Sequence, residues 1–180
     1  MASIKTDLRV RNDSIISDLS RGKDQTLLQK RWELSVEEFQ KGWLSEPVPV
    51  TNDDRNHMAL SPRFCLSEHH GLQQPKFRLI DDLSKSLVNK TVQSTETYCP
   101  QDLDLFAALS RLQVSYGAGQ LRAWSLDFSH AYKTIALHPG SADAAFICFI
   151  NPNDNLPYMS QVLVQPFGSR RAPPQIGAAL

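Results

Sequence analysis

The sequence predicts a mixed α+β fold, and three observations carry that expectation. Candidate strands come as pairs joined by turn residues, with single helical stretches between the pairs rather than a steady strand–helix alternation. Hydrophobic residues fill 41% of the 180 positions, and a chain of this length buries roughly 70% of its unfolded surface without needing a disulfide or a metal. No glycine-rich loop of the dinucleotide-binding or P-loop kind precedes any helical stretch.

Residues 1–45 read as helical. Leu8, Ile15, Ile16, Leu19, Leu27 and Leu28 recur at loosely helical spacing, with Gly22 as an interruption. The sharpest local signal is Leu34-Ser35-Val36-Glu37-Glu38-Phe39. Ser35 and Glu38 have the spacing of a capping box, and Leu34 and Phe39 that of a hydrophobic staple, so a helix start is expected there. Gly42 suits a helix end. Pro47, Pro49 and the polar run Thr51–Asn56 then read as a linker.

Arg63–Leu66 and Phe77–Asp81 are expected as strands of a hairpin, with Gln73-Gln74-Pro75 in the turn between them and a polar loop over Ser84–Gln93. Pro100 and Asp102 open a helix on which Leu105, Leu109 and Leu112 recur at helical spacing, and Gly117 and Gly119 end it. Leu121–Phe128, Ala144–Ile150 and Tyr158–Val164 read as strands. Asn151-Pro152-Asn153-Asp154-Asn155 makes the last two a hairpin. The expected organisation is a helical extension over 1–46, a linker over 47–59, a first α+β region over 60–99 and a second over 100–180.

Composition excludes several classes. The 19 Lys+Arg and 19 Asp+Glu cancel, so bulk charge does not point to nucleic acid, and any such role must rest on placed residues. No apolar run approaches the roughly 18 residues of a membrane span. Three widely spaced cysteines, Cys65, Cys99 and Cys148, argue against a disulfide framework and fit a reducing, intracellular compartment. Cys65, Glu68, His69 and His70 hold only three strong zinc ligands at a spacing no common finger uses, so a surface loop is the better reading. Trp32, Trp43 and Trp124 read as packing residues rather than stacking platforms.

Three segments bear residues suited to chemistry. In Trp124–Tyr132, Asp127 ends an apolar strand, where a carboxylate can hold a hard cation; taken alone, a cap on the next turn, bonding the amides of Ser129 or His130, is the better reading. In Pro75–Asp82, Lys76 and Arg78 share one side of a strand and could grip phosphate oxygens. The plainer alternative is a solvated face with Arg78 paired to Asp81 or Asp82. In Gln165–Pro173, Gly168 permits a sharp turn before Arg170-Arg171.

In this order and at these spacings, the three segments resemble reverse transcriptases of the retroelement kind. Arg78 and Asp82 match an Arg-x-x-x-Asp strand of the fingers, with Asn89 following. Asp127, Ala131 and Tyr132 match Asp-x-x-x-Ala-Tyr of the palm, and Pro166-Phe167-Gly168 with Ala172-Pro173 match Pro-Phe-Gly-x-x-x-Ala-Pro. The run Lys76–Asn89 is especially similar, and the likeness covers roughly residues 31–176. It implies a partial right-hand polymerase fold: the helical extension, a fingers-like region over 60–99 and a partial palm over 100–180. It also implies that Asp127 is catalytic and holds Mg²⁺ together with the Phe128 carbonyl, at a site with two ions. Lys76 and Arg78 would hold the triphosphate, Tyr132 would lie under the incoming sugar, and Phe167 and Gly168 would lie near nucleotide and template. The implied partners are a template-primer and a dNTP.

The chain also departs from the pattern. The family's Asp-Asp pair beyond the Phe-Gly motif does not occur within these residues; Asp53-Asp54 and Asp81-Asp82 both precede Asp127. His130 stands where retroviral enzymes carry a second acid, and Pro174 would stiffen the next helix. One carboxylate does not hold two Mg²⁺ ions against their hydration. The expectation is therefore the amino-terminal half of a polymerase core that does not polymerise by itself. Two alternatives stay open: a non-catalytic nucleic-acid or protein binding module of the same fold, and an unrelated α+β domain.

Overall fold

The computed structural model describes residues 2–22, 24–68, 71, 74–91, 103–117, 130–138 and 145–166. These form a mixed α+β arrangement around a five-stranded sheet of order β1-β5-β4-β2-β3. The strands are β1 (Val48–Pro49), β2 (Leu60–Glu68), β3 (Lys76–Asp81), β4 (Phe146–Ile150) and β5 (Pro157–Gln161). β2 and β4 run parallel at the centre, whereas the β1–β5, β4–β5 and β2–β3 pairs are antiparallel. Both expected hairpins are present. The Asn151–Asn155 turn joins β4 to β5, with the Asn151 side chain accepting from the Asn153 amide at 3.0 Å.

Helix α1 (Ala2–Ser20) is followed by helix α2 (Gln25–Gln40). The start of α2 is not at Ser35. Asp24 caps it, its carboxylate accepting from the amides of Thr26 and Leu27 at 2.9 and 3.2 Å. Ser35 and Glu38 lie in the middle of α2, because the helical pattern already runs from Gln25 and leaves no free amides at Ser35 to cap. The Ser35 hydroxyl instead donates to the Arg31 carbonyl at 2.7 Å. The far end of α2 does stop at Gly42, whose φ of 72° suits a residue without Cβ. Gly42 N–H donates to Phe39 O and Trp43 N–H to Glu38 O, the paired bonds of a Schellman end.

The stretch read as a linker contains two elements. β1 pairs Val48 with Met159 and Pro49 with Tyr158. Helix α3 (Asn52–His57) carries a capping box in which the Thr51 hydroxyl and the Asp54 carboxylate serve each other's amides. Asn12, fully buried on α1, secures this region. Its amide nitrogen donates to the carbonyls of Arg55 and Met58, and its oxygen accepts from the Leu60 amide.

Two apolar clusters lie on the two faces of β4, as strand alternation requires. Ile15, Leu19, Leu28, Leu60, Cys148, Ile150 and Met159 form one. Leu44, Ala145, Ile147, Phe149 and Val162, with Trp32 against them, form the other. Trp32 meets Phe149 and Tyr158 at ring-centroid distances of 5.7 and 5.3 Å, the packing role expected of it. Cys65 is buried on β2, and both it and Cys148 are free thiols.

After β3, the stretch read as a polar loop is a tight turn followed by α4 (Val88–Thr91). Leu83, Ser86 and Asn89 are buried there, and Asp82 accepts from the Ser84 and Lys85 amides, each at 3.0 Å. Helix α5 (Leu103–Ser115) ends at Gly117 as expected, but its Leu105, Leu109 and Leu112 stripe is exposed. A short 3₁₀ helix, Ala131–Thr134, precedes β4. No helix among the described residues is long and apolar enough to cross a membrane. The expected Leu121–Phe128 strand lies outside the described residues, with Trp124 and Cys99. The zinc-like pair His69 and His70 also lies outside them.

Candidate anion-binding groove

β3 alternates, so Lys76 and Arg78 are exposed while their neighbours are partly covered. A groove of about 370 Å³ runs between this strand and α2. Leu34, Glu37, Glu38 and Lys41 form its α2 wall, Lys76–Ile80 form the β3 wall, and Trp43 and His130 complete the lining. Lys76, Arg78 and the residue just before the Ala131-Tyr132 pair therefore share one concavity. Tyr132 is half-buried on the 3₁₀ helix and is not part of the lining. Asp127, Phe128, Phe167 and Gly168 lie outside the described residues.

The charges around the groove are unevenly compensated. Arg78 pairs with Glu68 at 2.8 Å, not with Asp81 or Asp82: the ladder sets Glu68 opposite Lys76, diagonal to Arg78 and within reach of its long side chain, while Asp81 alternates to the other face. Half of its side chain stays accessible. Lys76 has no ion-pair partner among the described residues. The acids of the α2 wall are engaged. The hydrogen bond and charge of Lys41 hold the Glu37 carboxyl below its ordinary range. Glu38 meets both Arg63 and Lys133, at 2.8 and 3.1 Å. The groove thus presents accessible cations and no uncommitted acid pair, an arrangement that receives an anion.

Behind the α2 wall lies a buried arginine that sequence reasoning did not single out. Arg63, 0% exposed, makes a bidentate pair with Asp81, Nε to Oδ1 at 2.6 Å and Nη2 to Oδ2 at 2.9 Å. Its Nη1 contacts Glu38 Oε2 and donates to the Ser35 hydroxyl at 3.3 Å. Desolvation works against the charge, but Asp81 and then Glu38 more than offset it, so the guanidinium is held protonated well above its ordinary range. The signal available in the sequence was a lone arginine inside the apolar run Leu60–Leu66. Arg31 is buried beside it and donates Nη1 to the Arg63 carbonyl at 3.2 Å, but its Nε and Nη2 have no hydrogen-bond partner among the described residues. Burial pulls its pKa down.

Trp43 departs from the packing role expected of it. Its ring meets the His130 imidazole at 5.1 Å, with Lys41 and Lys133 ammonium groups 5.0 and 5.7 Å from its centre. His130 has a φ of 56°, a left-handed conformation that histidine adopts more readily than most residues but still at a cost.

Fold and groove together define an α+β unit with a cation-bearing cleft at one sheet edge. No protein-family model matches the chain, and no curated protein sequence does.

Proposed function

We propose that this chain is the fingers and partial palm of a reverse-transcriptase-like polymerase, and that the groove beside β3 receives the triphosphate of a dNTP. One observation supports the reading above the others. Lys76 and Arg78, distant in sequence from the Asp127–Tyr132 motif, line the same groove as His130, three residues after Asp127. The resemblance expects those two segments to face one cleft, and this proximity supports it. The Arg78 fork suits phosphate oxygens, and the accessible Lys76 adds a point charge.

The groove does not fit a two-ion metal centre by its own residues. No group of three His, Cys, Asp or Glu among the described residues could hold an ion, and both α2 acids are already paired with cations. If Asp127 and the Phe128 carbonyl hold Mg²⁺, a second acid must come from outside the described residues. The same pairing favours a second reading, a non-catalytic nucleic-acid-binding module of this fold.

Binding of dTTP and thymidine, measured by calorimetry at low salt, tests the groove. The triphosphate binds, thymidine does not, and Arg78→Ala weakens dTTP at least tenfold, the loss expected for a charge-assisted hydrogen bond of about 1.5–3 kcal/mol. Equal binding of the two ligands, or an Arg78→Ala variant that binds normally, would sink the reading. Primer extension with Mg²⁺ is a one-sided check: product from the 180-residue chain rules out the module, and both readings expect none. Salt-dependent binding of a single-stranded oligonucleotide without binding of dTTP would favour the module.

A further inference from the structure

We propose that Asp81, Arg63, Glu38 and Lys133 form a buried charge relay that fixes the 3₁₀ helix, and with it His130, against the groove, making Glu38 and Lys133 positioning residues. The ligand arm of its test rests on the nucleotide reading above; the relay itself does not. The four residues alternate in sign and come from four elements: β3, β2, α2 and the 3₁₀ helix. Their side chains are 6, 0, 15 and 13% exposed in that order. Arg63 is locked by its bidentate pair, so it fixes Glu38. Glu38 then divides its oxygens, Oε2 to Arg63 at 2.8 Å and Oε1 to Lys133 at 3.1 Å.

The 3₁₀ helix needs such an anchor. It is four residues long, too short to hold its own shape. Its trailing end is tied to the strand-like run after β5, Leu137 N–H donating to Leu163 O and Gln165 N–H to Ile135 O, at 2.9 and 2.8 Å. Among the described residues, the contacts that tie its leading end, at the groove, to α2 and Trp43 are made by side chains. His130, just before the helix, and Lys133, on it, both meet the Trp43 ring, the imidazole at 5.1 Å and the ammonium at 5.7 Å. Glu38 holds Trp43 as well, its main-chain carbonyl accepting the Trp43 N–H at 3.0 Å. The result is a closed circuit from Glu38 through Lys133, the helix, His130 and Trp43 back to Glu38. Breaking the Glu38–Lys133 pair opens that circuit at the point nearest the groove, while the Arg63–Asp81 pair stays whole.

NMR of the histidine ring protons in the full chain tests this, with the His130 signal assigned by its loss in His130→Gln. In the wild type, the tilted contact with the Trp43 ring, 5.1 Å between centroids, shifts that signal upfield. Lys133→Met, which keeps the apolar stem and removes the charge, returns it to the position of an exposed histidine. Lys133→Arg retains the shift. The methyl signals of Ile147 and Ile150 stay in place in both variants. Affinity for dTTP falls roughly fivefold in Lys133→Met and recovers in Lys133→Arg. An unmoved His130 signal in both Lys133→Met and Glu38→Gln overturns the relay, as does a shift that spreads to the β4 methyl groups, which marks general loosening. A His130 signal that moves as described in a protein that does not bind dTTP upholds the relay and overturns the nucleotide reading.

Discussion

Arg63→Met is the perturbation whose outcome the structure constrains most tightly. The arginine is completely buried, and its removal strands Asp81 and Glu38, whose side chains are 6 and 15% exposed. Removing one partner of a buried ion pair costs about 3–5 kcal/mol, because the remaining charge has lost its compensation. Two carboxylates are stranded here. The Asp81 pairing is bidentate and the Glu38 charge keeps Lys133, so the loss falls at about 4–5 kcal/mol. For a chain of this size, each kcal/mol moves the melting temperature by roughly 2–4 °C, which gives a fall of roughly 8–20 °C. Thermal unfolding followed by circular dichroism reads this directly. The companion experiment is the triple variant Arg63→Met, Asp81→Leu, Glu38→Gln, which removes both stranded charges and leaves Lys133 an acceptor. It should recover at least about half of the loss, since apolar replacement of a whole buried pair is often neutral. A drop below roughly 3 °C for the single variant refutes the argument that these carboxylates depend on Arg63. A triple variant no better than the single one assigns the loss to packing rather than charge.

Two further predictions concern groups beside this network. Arg31→Met should raise stability by about 1 kcal/mol in urea unfolding: it removes two buried guanidinium nitrogens without partners among the described residues and gives up one bond to the Arg63 carbonyl; a lower midpoint would show that the guanidinium is satisfied after all. The Asp18 carboxyl is held below its ordinary 3.8 by the Lys85 hydrogen bond and charge. A depressed folded-state value means that the contribution is present above 3.8 and lost as pH falls through the lowered value. The melting-temperature gap between wild type and Asp18→Asn should therefore close on acidification through that window, and a gap that stays constant would refute the pairing.

Much of the secondary structure was legible because its causes are local. The Asn151–Asn155 turn, the alternation over Lys76–Asp81, the buried run Phe146–Ile150 and the glycine ends at Gly42 and Gly117 each act through neighbours a few residues away. The Ser35-to-Glu38 pattern misled for the same reason. Three-residue spacing describes a capping box and equally two groups on one face of a helix interior, and only the position of Asp24 decides between them. Of the site, Lys76 and Arg78 were read correctly as sharing one exposed side of a strand. That His130 closes the same groove was not legible, since that depends on how the 3₁₀ helix meets α2.

The sequence by itself determined the mixed α+β class, both hairpins and the exposure of Lys76 and Arg78, because turn chemistry and a two-residue period are written in consecutive residues. Only the tertiary structure decided that Pro49 joins a strand with Tyr158, that β2 lies parallel to β4, and that Arg63 faces Asp81 directly across the β2–β3 ladder. Each of those depends on register between separate segments. Register is set by which faces can be buried together, and no local pattern contains it. The charge relay belongs to the second kind: its four members carry no shared motif, and only the packing of α2 on the sheet makes them neighbours.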